Sequence, residues 1–159
     1  LRHKSASYSV EFPLAIGALL GGGSLELAAQ LRQLGQPLGE AFQMRDDELG
    51  VFGDPELTGK PACGDMAEGK RTVLLALTRE LSAPADRQWL DARLGQKVSD
   101  DDVVGIRRIV EESGARARHE EMIAAREHEA RRNLSALDSR AEGVDLLDTL
   151  VRELEGRHA

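Results

Sequence analysis

The sequence predicts an all-α fold, and three observations support this prediction. Apolar residues recur at intervals of three and four along most of the chain, as on one face of an amphipathic helix. No segment shows the strict alternation of apolar and polar residues that is typical of a half-buried strand. Aromatic residues make up only 3 % of the 159 residues, so we expect a core of Leu, Ala, Val and Ile. We therefore predict one all-α domain over residues 1–159, a helical bundle with short connections.

The first part of the chain divides into two helical segments and a loop. Residues 5–20 form an apolar helix candidate, which ends at a run of three glycines. Ser24 is a predicted N-cap, because its side chain can accept a hydrogen bond from the first turn of a helix. The second helix is expected to continue to about Gly53. Residues 54–69 are rich in glycine and proline and are predicted to be a loop.

The second helix contains residues that disfavour a long uninterrupted helix. Pro37 predicts a bend, and Gly35 and Gly39 lower the helix propensity around it. Two shorter helices therefore stay open as an alternative to one long helix.

Five further helices are predicted in the remainder of the chain from apolar residues at helical spacing. Their expected ranges are 71–81, 84–94, 100–113, 115–137 and 142–155. Pro84 fits the first turn of its helix, and Ser99 begins a capping cluster with the three aspartates after it. The charged segment Arg116–Arg132 is expected to present a solvated face. Within it, His119-Glu120 does not continue into a zinc-protease motif, because residue 123 is an isoleucine.

Composition and charge exclude several classes of function. The net charge of −7 argues against a general nucleic-acid binder, which needs a basic face to neutralise phosphates. No apolar run approaches the roughly 20 residues of a membrane span, so we expect no stable membrane insertion. The single cysteine, Cys63, excludes an intrachain disulfide and is consistent with a reducing, cytoplasmic location.

Two adjacent carboxylates on the second helix indicate a metal site. Gln43, Asp46, Asp47 and Gly50 are three or four residues apart and therefore share one face of a helix. Neighbouring carboxylates repel each other unless a cation lies between them. Mg²⁺ is usually bound by one or two carboxylates together with phosphate oxygens and water. The pair Asp46-Asp47 therefore predicts a Mg²⁺ site for a diphosphate.

The loop over residues 54–69 and the residues just after it supply the cations that a diphosphate requires. Lys60 lies between Gly59 and Pro61, and Lys70 and Arg71 are expected to open the next helix, where N–H groups favour anions. An acidic pair on a helix, taken alone, is more often a solvated surface. The ordered combination of carboxylates, glycines and lysines favours a phosphate and metal loop.

This ordered string resembles the second aspartate-rich region of the trans-isoprenyl (polyprenyl) diphosphate synthases. The matching positions are Phe42, Gln43, Asp46, Asp47, Gly53, Asp54, Gly59, Lys60, Pro61, Asp65, Gly69 and Lys70. Upstream, Lys4-Ser5 occupies the place of a Lys-Thr pair in the family. The resemblance covers residues 1–80, and it implies an incomplete helical bundle of the isoprenoid synthase type.

The resemblance implies an activity, substrates and residue roles. The activity is a prenyl transfer, in which an allylic diphosphate is condensed with isopentenyl diphosphate in the presence of Mg²⁺. The metal ligands would be Asp46 and Asp47. The substrate-binding residues would be Lys4, Ser5, Phe42, Gln43, Lys60 and Lys70. The catalytic residues would be Lys4, Gln43, Asp46 and Lys60.

Three departures from the family pattern qualify this expectation. Gly50 replaces the last aspartate of the motif, and Cys63 replaces a loop glycine, which is expected to strain the loop. No first aspartate-rich motif precedes Lys4, and the chain does not begin with Met. We therefore expect a C-terminal portion of a synthase that is inactive by itself and forms a homodimer. The alternative is a non-catalytic helical subunit that regulates a complete synthase. The sequence does not assign a product chain length.

Overall fold

The computed structural model describes the backbone of residues 2–59, 61–137 and 141–155, and every regular element within these ranges is helical. Side chains are described for residues 6–56, 59, 61–137 and 143–154. The chain begins with a π-helix over Arg2–Glu11. It is followed by α1 (Phe12–Leu20), α2 (Leu25–Phe52), α3 (Pro55–Thr58), α4 (Gly64–Ala67), α5 (Val73–Leu81), α6 (Pro84–Asp91), α7 (Asp100–Glu112), α8 (Ala115–Ser135) and α9 (Ala141–Glu155). The prediction of an all-α fold is confirmed.

The first predicted helix is divided between the π-helix and α1. Pro13 lies in the first turn of α1, where its fixed φ suits a helix. The three glycines end α1, as expected. Ser24 then caps α2, because its Oγ accepts a hydrogen bond of 3.1 Å from the N–H of Leu27.

α2 is one continuous helix of 28 residues, with Pro37 inside it. The alternative of two shorter helices is therefore wrong. Gly35 and Gly39 have a packing role, since they allow the π-helix to pass close to α2. A Cβ atom on Gly39 would lie only 2.7 Å from the Cα atom of Ala6, and one on Gly35 would lie 2.8 Å from the Cα atom of Glu11. Glycine is therefore required at these two positions despite its low helix propensity, because any larger residue would displace the neighbouring backbone.

The segment over residues 54–69 contains the short helices α3 and α4 and is not a plain loop. Asp54 caps α3 through a hydrogen bond of 2.9 Å from the N–H of Glu56 to its Oδ1. The expected start of the next helix at Arg71 is wrong, since α5 begins at Val73. The side chain of Thr72 accepts a hydrogen bond of 3.1 Å from the N–H of Leu75 and so fixes the start of the helix.

The start of α7 confirms the predicted capping cluster. Ser99 and Asp102 form a reciprocal capping box, in which each side chain accepts from the backbone N–H of the other. Asp102 also accepts a hydrogen bond from Arg93. The hydrogen bonds from Arg93 and Ser99 lower the pKa of Asp102 to about 2. Ionised Asp102 therefore stabilises this helix start.

Two compact units make up the chain, and each has its own aliphatic core. One unit contains the residues up to Gln43 and those from Met122 onward, and the other contains Met44–Glu121. The buried core of the first unit consists of Leu31, Leu34, Leu38, Ala130, Leu134 and Val151. That of the second consists of Cys63, Met66, Leu74, Leu90, Ile106, Ile109, Val110 and Ala115. The single domain over residues 1–159 stays a prediction. Among the described helices, none is both long and apolar enough to cross a membrane.

Candidate metal and diphosphate site

The acidic pair lies near the C-terminal end of α2, in the unit Met44–Glu121. Asp47 is 95 % buried, since only 5 % of its surface is exposed, while Asp46 is half-buried. The Oδ2 atom of Asp47 accepts a hydrogen bond of 3.3 Å from the N–H of Val73, the first residue of α5. A carboxylate is favoured at a helix N-terminus, because the unpaired N–H groups there carry partial positive charge. This bond fixes one carboxylate of the pair between two helices.

A small pocket of about 30 Å³ adjoins Asp47 and Gly50. Its polar lining comes from Asp47, Asp65, Lys70 and Thr72, and its base is formed by apolar core residues of the same unit. Such a volume holds about one or two water molecules. The pocket therefore brings one carboxylate of the predicted metal pair and one predicted phosphate-binding lysine to the same place.

Lys70 is held by carboxylates of its own segment. Its Nζ atom lies 2.7 Å from Oδ1 of Asp65 and 2.8 Å from Oε2 of Glu68. The hydrogen bonds to Asp65 and Glu68 raise the pKa of Lys70 above its ordinary value, so that the ammonium group stays charged. Lys70 and Arg71 both precede the N-cap Thr72, so they do not open α5 as the sequence predicted.

The other predicted site residues belong to different parts of the chain. Phe42 and Gln43 lie on α2 in the other unit, which contains Leu1–Gln43 and Met122–His158. The side chains of Lys4, Ser5 and Lys60 lie outside the described residues. The roles of these residues therefore stay predictions.

The donor atoms of the acidic pair fit a hard divalent cation. Carboxylate oxygens are the protein ligands that Mg²⁺ prefers, and one or two of them suffice when phosphate oxygens and water complete the octahedron. Within the described part of the chain, no group of three or more His, Cys, Asp or Glu side chains is arranged to hold a metal by itself. The carboxylate oxygens of Asp46 and Asp47 are thus of the kind that Mg²⁺ binds, and their role as metal ligands stays a prediction.

Cys63 adopts a left-handed backbone conformation in the middle of this segment. Its φ is +56° and its ψ is +24°, and among the described residues it is the one non-glycine with a positive φ. Its N–H donates a hydrogen bond of 2.7 Å to the carbonyl of Gly50. The prediction of strain at Cys63 thus has a specific cause, since a Cβ atom disfavours this conformation.

A buried ionic contact on the other side of α2 escaped the sequence analysis. Glu48 is only 4 % exposed, and its Oε1 lies 2.7 Å from Nε of Arg116 on α8. Its Oε2 lies 3.9 Å from Nδ1 of His119, which is fully buried. Burial alone would raise the pKa of Glu48, but its contacts with His119 and Arg116 outweigh burial and lower the pKa to about 2. Glu48 is therefore an ionised carboxylate inside the unit.

Two further contacts extend this pairing along the same helix face. Arg45 is nearly buried, and its Nη1 lies 3.8 Å from Oε1 of Glu120. The guanidinium of Arg116 lies over the ring of Phe52, 4.0 Å from its centre. We call this set the α2–α8 ladder, which comprises Arg45, Glu48 and Phe52 on α2 and Arg116, His119 and Glu120 on α8.

The α2–α8 ladder adds a buried charged face to the segment Arg116–Arg132. The predicted solvated face is present, since Arg118 and Glu121 are exposed, but His119 on another face is fully buried and Glu120 is partly buried. Burial and the nearby Glu48 raise the pKa of Glu120. The spacing of Arg45, Glu48 and Phe52 at i, i+3 and i+7 places them on one face of α2, but it does not indicate their partners on α8.

Comparison with known families identifies the class of protein. Residues 1–112 match the family described as polyprenyl synthetase. The chain therefore belongs to the polyprenyl synthetase family, and the resemblance carried by the second aspartate-rich region is confirmed.

Curated relatives share sequence over about two thirds of this chain. The chain is 38 % identical over 106 residues to a geranylfarnesyl diphosphate synthase of Aeropyrum pernix, which is 67 % of this chain and 32 % of that protein. It is 36 % identical over 105 residues to a (2E,6E)-farnesyl diphosphate synthase of Mycobacterium bovis, which is 64 % of this chain and 29 % of that protein. The matched part thus spans about a third or less of the length of these relatives.

Solved structures match nearly the whole chain. A geranylgeranyl pyrophosphate synthase of Corynebacterium glutamicum, complexed with isoprenyl diphosphate and magnesium, superposes with a TM-score of 0.92 at 38 % identity. The match covers 99 % of this chain and 45 % of that one. A polyprenyl synthase of Caulobacter crescentus, complexed with calcium and isoprenyl diphosphate, gives a TM-score of 0.86 at 27 % identity and covers 99 % and 48 %. The isoprenoid synthase type of helical fold is therefore confirmed.

Proposed function

We propose that the protein that carries this chain is a trans-prenyltransferase, which condenses an allylic diphosphate with isopentenyl diphosphate. The observation that carries this proposal is the carboxylate pair Asp46-Asp47, which is followed in the sequence by a segment that contains Lys60 and Lys70. Support also comes from the C. glutamicum synthase, which has the same fold and is complexed with magnesium and isoprenyl diphosphate. The product chain length is left open.

The acidic pair would hold Mg²⁺, which neutralises the negative charge that develops on the departing diphosphate. The hydrogen bond from the N–H of Val73 restrains the carboxylate of Asp47 before any ligand arrives. Lys4 and Lys60 would bind the diphosphate of the allylic substrate, with Ser5 and Lys70 as further contacts. Phe42 and Gln43 would lie beside the reacting carbons.

The proposed reaction exchanges a carbon–oxygen bond for a carbon–carbon bond. The allylic carbon–oxygen bond breaks, and its electron pair leaves with the diphosphate. The double bond of isopentenyl diphosphate attacks the allylic carbon, and a proton then leaves to the released diphosphate. The lysines stabilise the same charge that develops during bond breaking, so electrostatics contributes most of the catalysis.

A condensation assay on the natural full-length polypeptide tests the proposal. Radiolabelled isopentenyl diphosphate is incubated with geranyl diphosphate and Mg²⁺, and prenyl products are extracted and counted. Asp46→Ala is expected to lower the rate by about 10²-fold or more, because it removes a group that stabilises the leaving charge. Asp101→Ala removes a carboxylate from the exposed first turn of α7 and serves as the matched control. Product formation that does not depend on Mg²⁺, or full activity in Asp46→Ala, would refute the proposal.

A homodimer and a cytoplasmic location are part of the same proposal. Tyr8, Ile16 and Leu20 expose 79 %, 54 % and 84 % of their surfaces on the first two helices of the chain. Apolar residues exposed close together are typical of surfaces that another polypeptide covers. Sedimentation equilibrium of the full-length protein is expected to give twice the mass of one polypeptide. The mass of a single polypeptide at micromolar concentration would contradict the dimer. Cell fractionation tests the location.

The alternative of a regulatory subunit rests on Gly50, which replaces the last aspartate of the motif. A mixing experiment separates it from the enzyme. The chain is added to a complete synthase, and the rate and the product length are recorded. If neither changes at saturating chain concentration, the regulatory alternative is excluded.

A further inference from the structure

The last turns of α2 carry two different faces. One face bears Asp47 and Gly50, which line the pocket that also contains Lys70. The other face bears Arg45 and Glu48, which form ion pairs with residues of α8. In the sequence, Asp46 and Asp47, which would bind the metal, thus lie between Arg45 and Glu48 of the α2–α8 ladder. Any movement that affects one face also affects the other.

The pair Glu48–Arg116, whose carboxylate is buried and whose guanidinium is partly exposed, favours one alignment of α2 with α8. An ionised carboxylate in the interior is costly unless a directed partner compensates it. Glu48 has such a partner in Arg116, at 2.7 Å. A slip of α2 by one residue would shift it by about 1.5 Å and rotate it by about 100°. Glu48 would then lose Arg116, and the carboxylate of Asp47 would turn away from the N–H of Val73.

Of the two residues of α8 that approach Glu48, Arg116 and His119, Arg116 is the one that donates a directed hydrogen bond to its carboxylate. Its guanidinium donates to Glu48, lies over the ring of Phe52, and contacts Glu111 at 3.3 Å. His119 approaches Glu48 only to 3.9 Å, and both of its ring nitrogens lack a hydrogen-bond partner among the described residues. Arg116 therefore supplies the short, directed hydrogen bond to Glu48, while His119 lies farther from the carboxylate.

We propose that Glu48 and Arg116 are positioning residues, which hold the last turns of α2 so that Asp46 and Asp47 can bind Mg²⁺ and a diphosphate. The proposal rests on the proposed function of the acidic pair and deepens it. Neither residue lines the pocket that contains Asp47 and Lys70. Their effect is transmitted by the helix, because the acidic pair lies between Arg45 and Glu48 in the sequence.

The chain provides a matched control on the same two helices. Glu40 of α2 pairs with Arg126 of α8 at 3.1 Å, in the unit that does not contain the acidic pair. Glu40→Gln and Glu48→Gln therefore remove the same kind of charge from the same kind of contact. A general effect of weakened helix pairing would appear in both variants, whereas a positioning effect would appear only in Glu48→Gln.

The test is calorimetric titration of inorganic diphosphate into the full-length protein, with and without MgCl₂. Glu48→Gln is expected to raise the Mg²⁺-dependent Kd for diphosphate about tenfold, the lower end of the range for residues that support metal ligands. Glu40→Gln is expected to change it by less than about twofold, because Glu40 and Arg126 pair in the unit that does not contain the acidic pair. Circular dichroism at the titration temperature confirms that each variant is folded.

A second variant keeps the test decisive if Glu48→Gln does not fold. Arg116→Lys retains the charge but loses the planar fork, and it is expected to raise the same Kd about threefold. If both ladder variants bind like Glu40→Gln, the positioning role is refuted while the metal site itself stands. If the wild-type protein shows no Mg²⁺-dependent binding of diphosphate, the proposed function fails and the positioning role fails with it.

Discussion

Replacing Cys63 by glycine and by alanine should reverse the usual order of stability of these two residues. Both substitutions remove the same buried sulfur atom, so they differ chiefly in the Cβ atom. At most positions glycine is the less stable of the two, because it loses more backbone freedom on folding. Cys63 has a φ of +56°, in the left-handed region that glycine adopts without cost. The alanine variant keeps the unfavourable Cβ atom, and the glycine variant does not.

The expected difference follows from two opposing terms. A left-handed conformation costs an L-residue about 1–2 kcal/mol relative to glycine. The greater freedom of glycine in the unfolded chain offsets about 0.4–1 kcal/mol of this. Cys63→Gly is therefore expected to be more stable than Cys63→Ala by up to about 1.5 kcal/mol, with a central value of about 0.8 kcal/mol.

Urea denaturation followed by circular dichroism measures this difference as a free energy of unfolding. The exposed Ala76, within α5, provides the control, because Ala76→Gly has an ordinary helical backbone and should lose about 1 kcal/mol. If Cys63→Ala proves more stable than Cys63→Gly, the left-handed conformation at this position is not what limits its stability.

Three further predictions concern packing, pH and thiol chemistry. Gly39→Ala should lower the free energy of unfolding by more than about 1 kcal/mol, because its Cβ would lie 2.7 Å from the Cα of Ala6. Gly17 is a helical position at which an added Cβ would meet no other part of the described structure within 4 Å, so Gly17→Ala should raise the free energy of unfolding by about 0.5–1 kcal/mol. If urea denaturation shows Gly39→Ala to be as stable as Gly17→Ala, the close packing at Gly39 is contradicted. The lowered pKa of Asp102 predicts a stabilisation that is complete above about pH 4 and lost as the pH falls towards 2, so the difference in urea midpoint between wild type and Asp102→Asn should shrink over that range. Burial raises the pKa of the Cys63 thiol to about 11, so about one thiol in a thousand is ionised at pH 8, and alkylation followed by mass spectrometry should be slow until urea unfolds the chain.

Features that depend on neighbouring residues could be predicted from the sequence. The caps at Ser24 and Ser99 were found because a capping side chain bonds to residues two or three positions away. Pro84 was placed in a first turn for the same local reason. Apolar spacing alone predicts that α5 starts at Arg71, whereas Thr72, a residue type that favours the N-cap, sets the start at Val73.

Features that depend on distant residues could not be predicted in this way. Glu48 and Arg116 are 68 positions apart, and nothing near either residue in the sequence indicates its partner. Gly39 was interpreted as a weak point of α2, whereas it accommodates the backbone of the π-helix near Ala6. The acidic pair Asp46-Asp47 is visible from helical spacing alone, and the resemblance to a known family adds the substrate and residue roles, which periodicity does not supply.

The most direct measurement of the central claim is a count of divalent ions bound by the acidic pair in the presence of diphosphate. Mn²⁺ prefers the same oxygen ligands as Mg²⁺, and its free form gives an electron paramagnetic resonance signal that weakens on binding. In the full-length protein with inorganic diphosphate, the double variant Asp46→Asn/Asp47→Asn is expected to bind at least one Mn²⁺ fewer than the wild type, while Asp101→Asn matches it. Equal numbers of bound ions in all three proteins would contradict a metal site at Asp46 and Asp47.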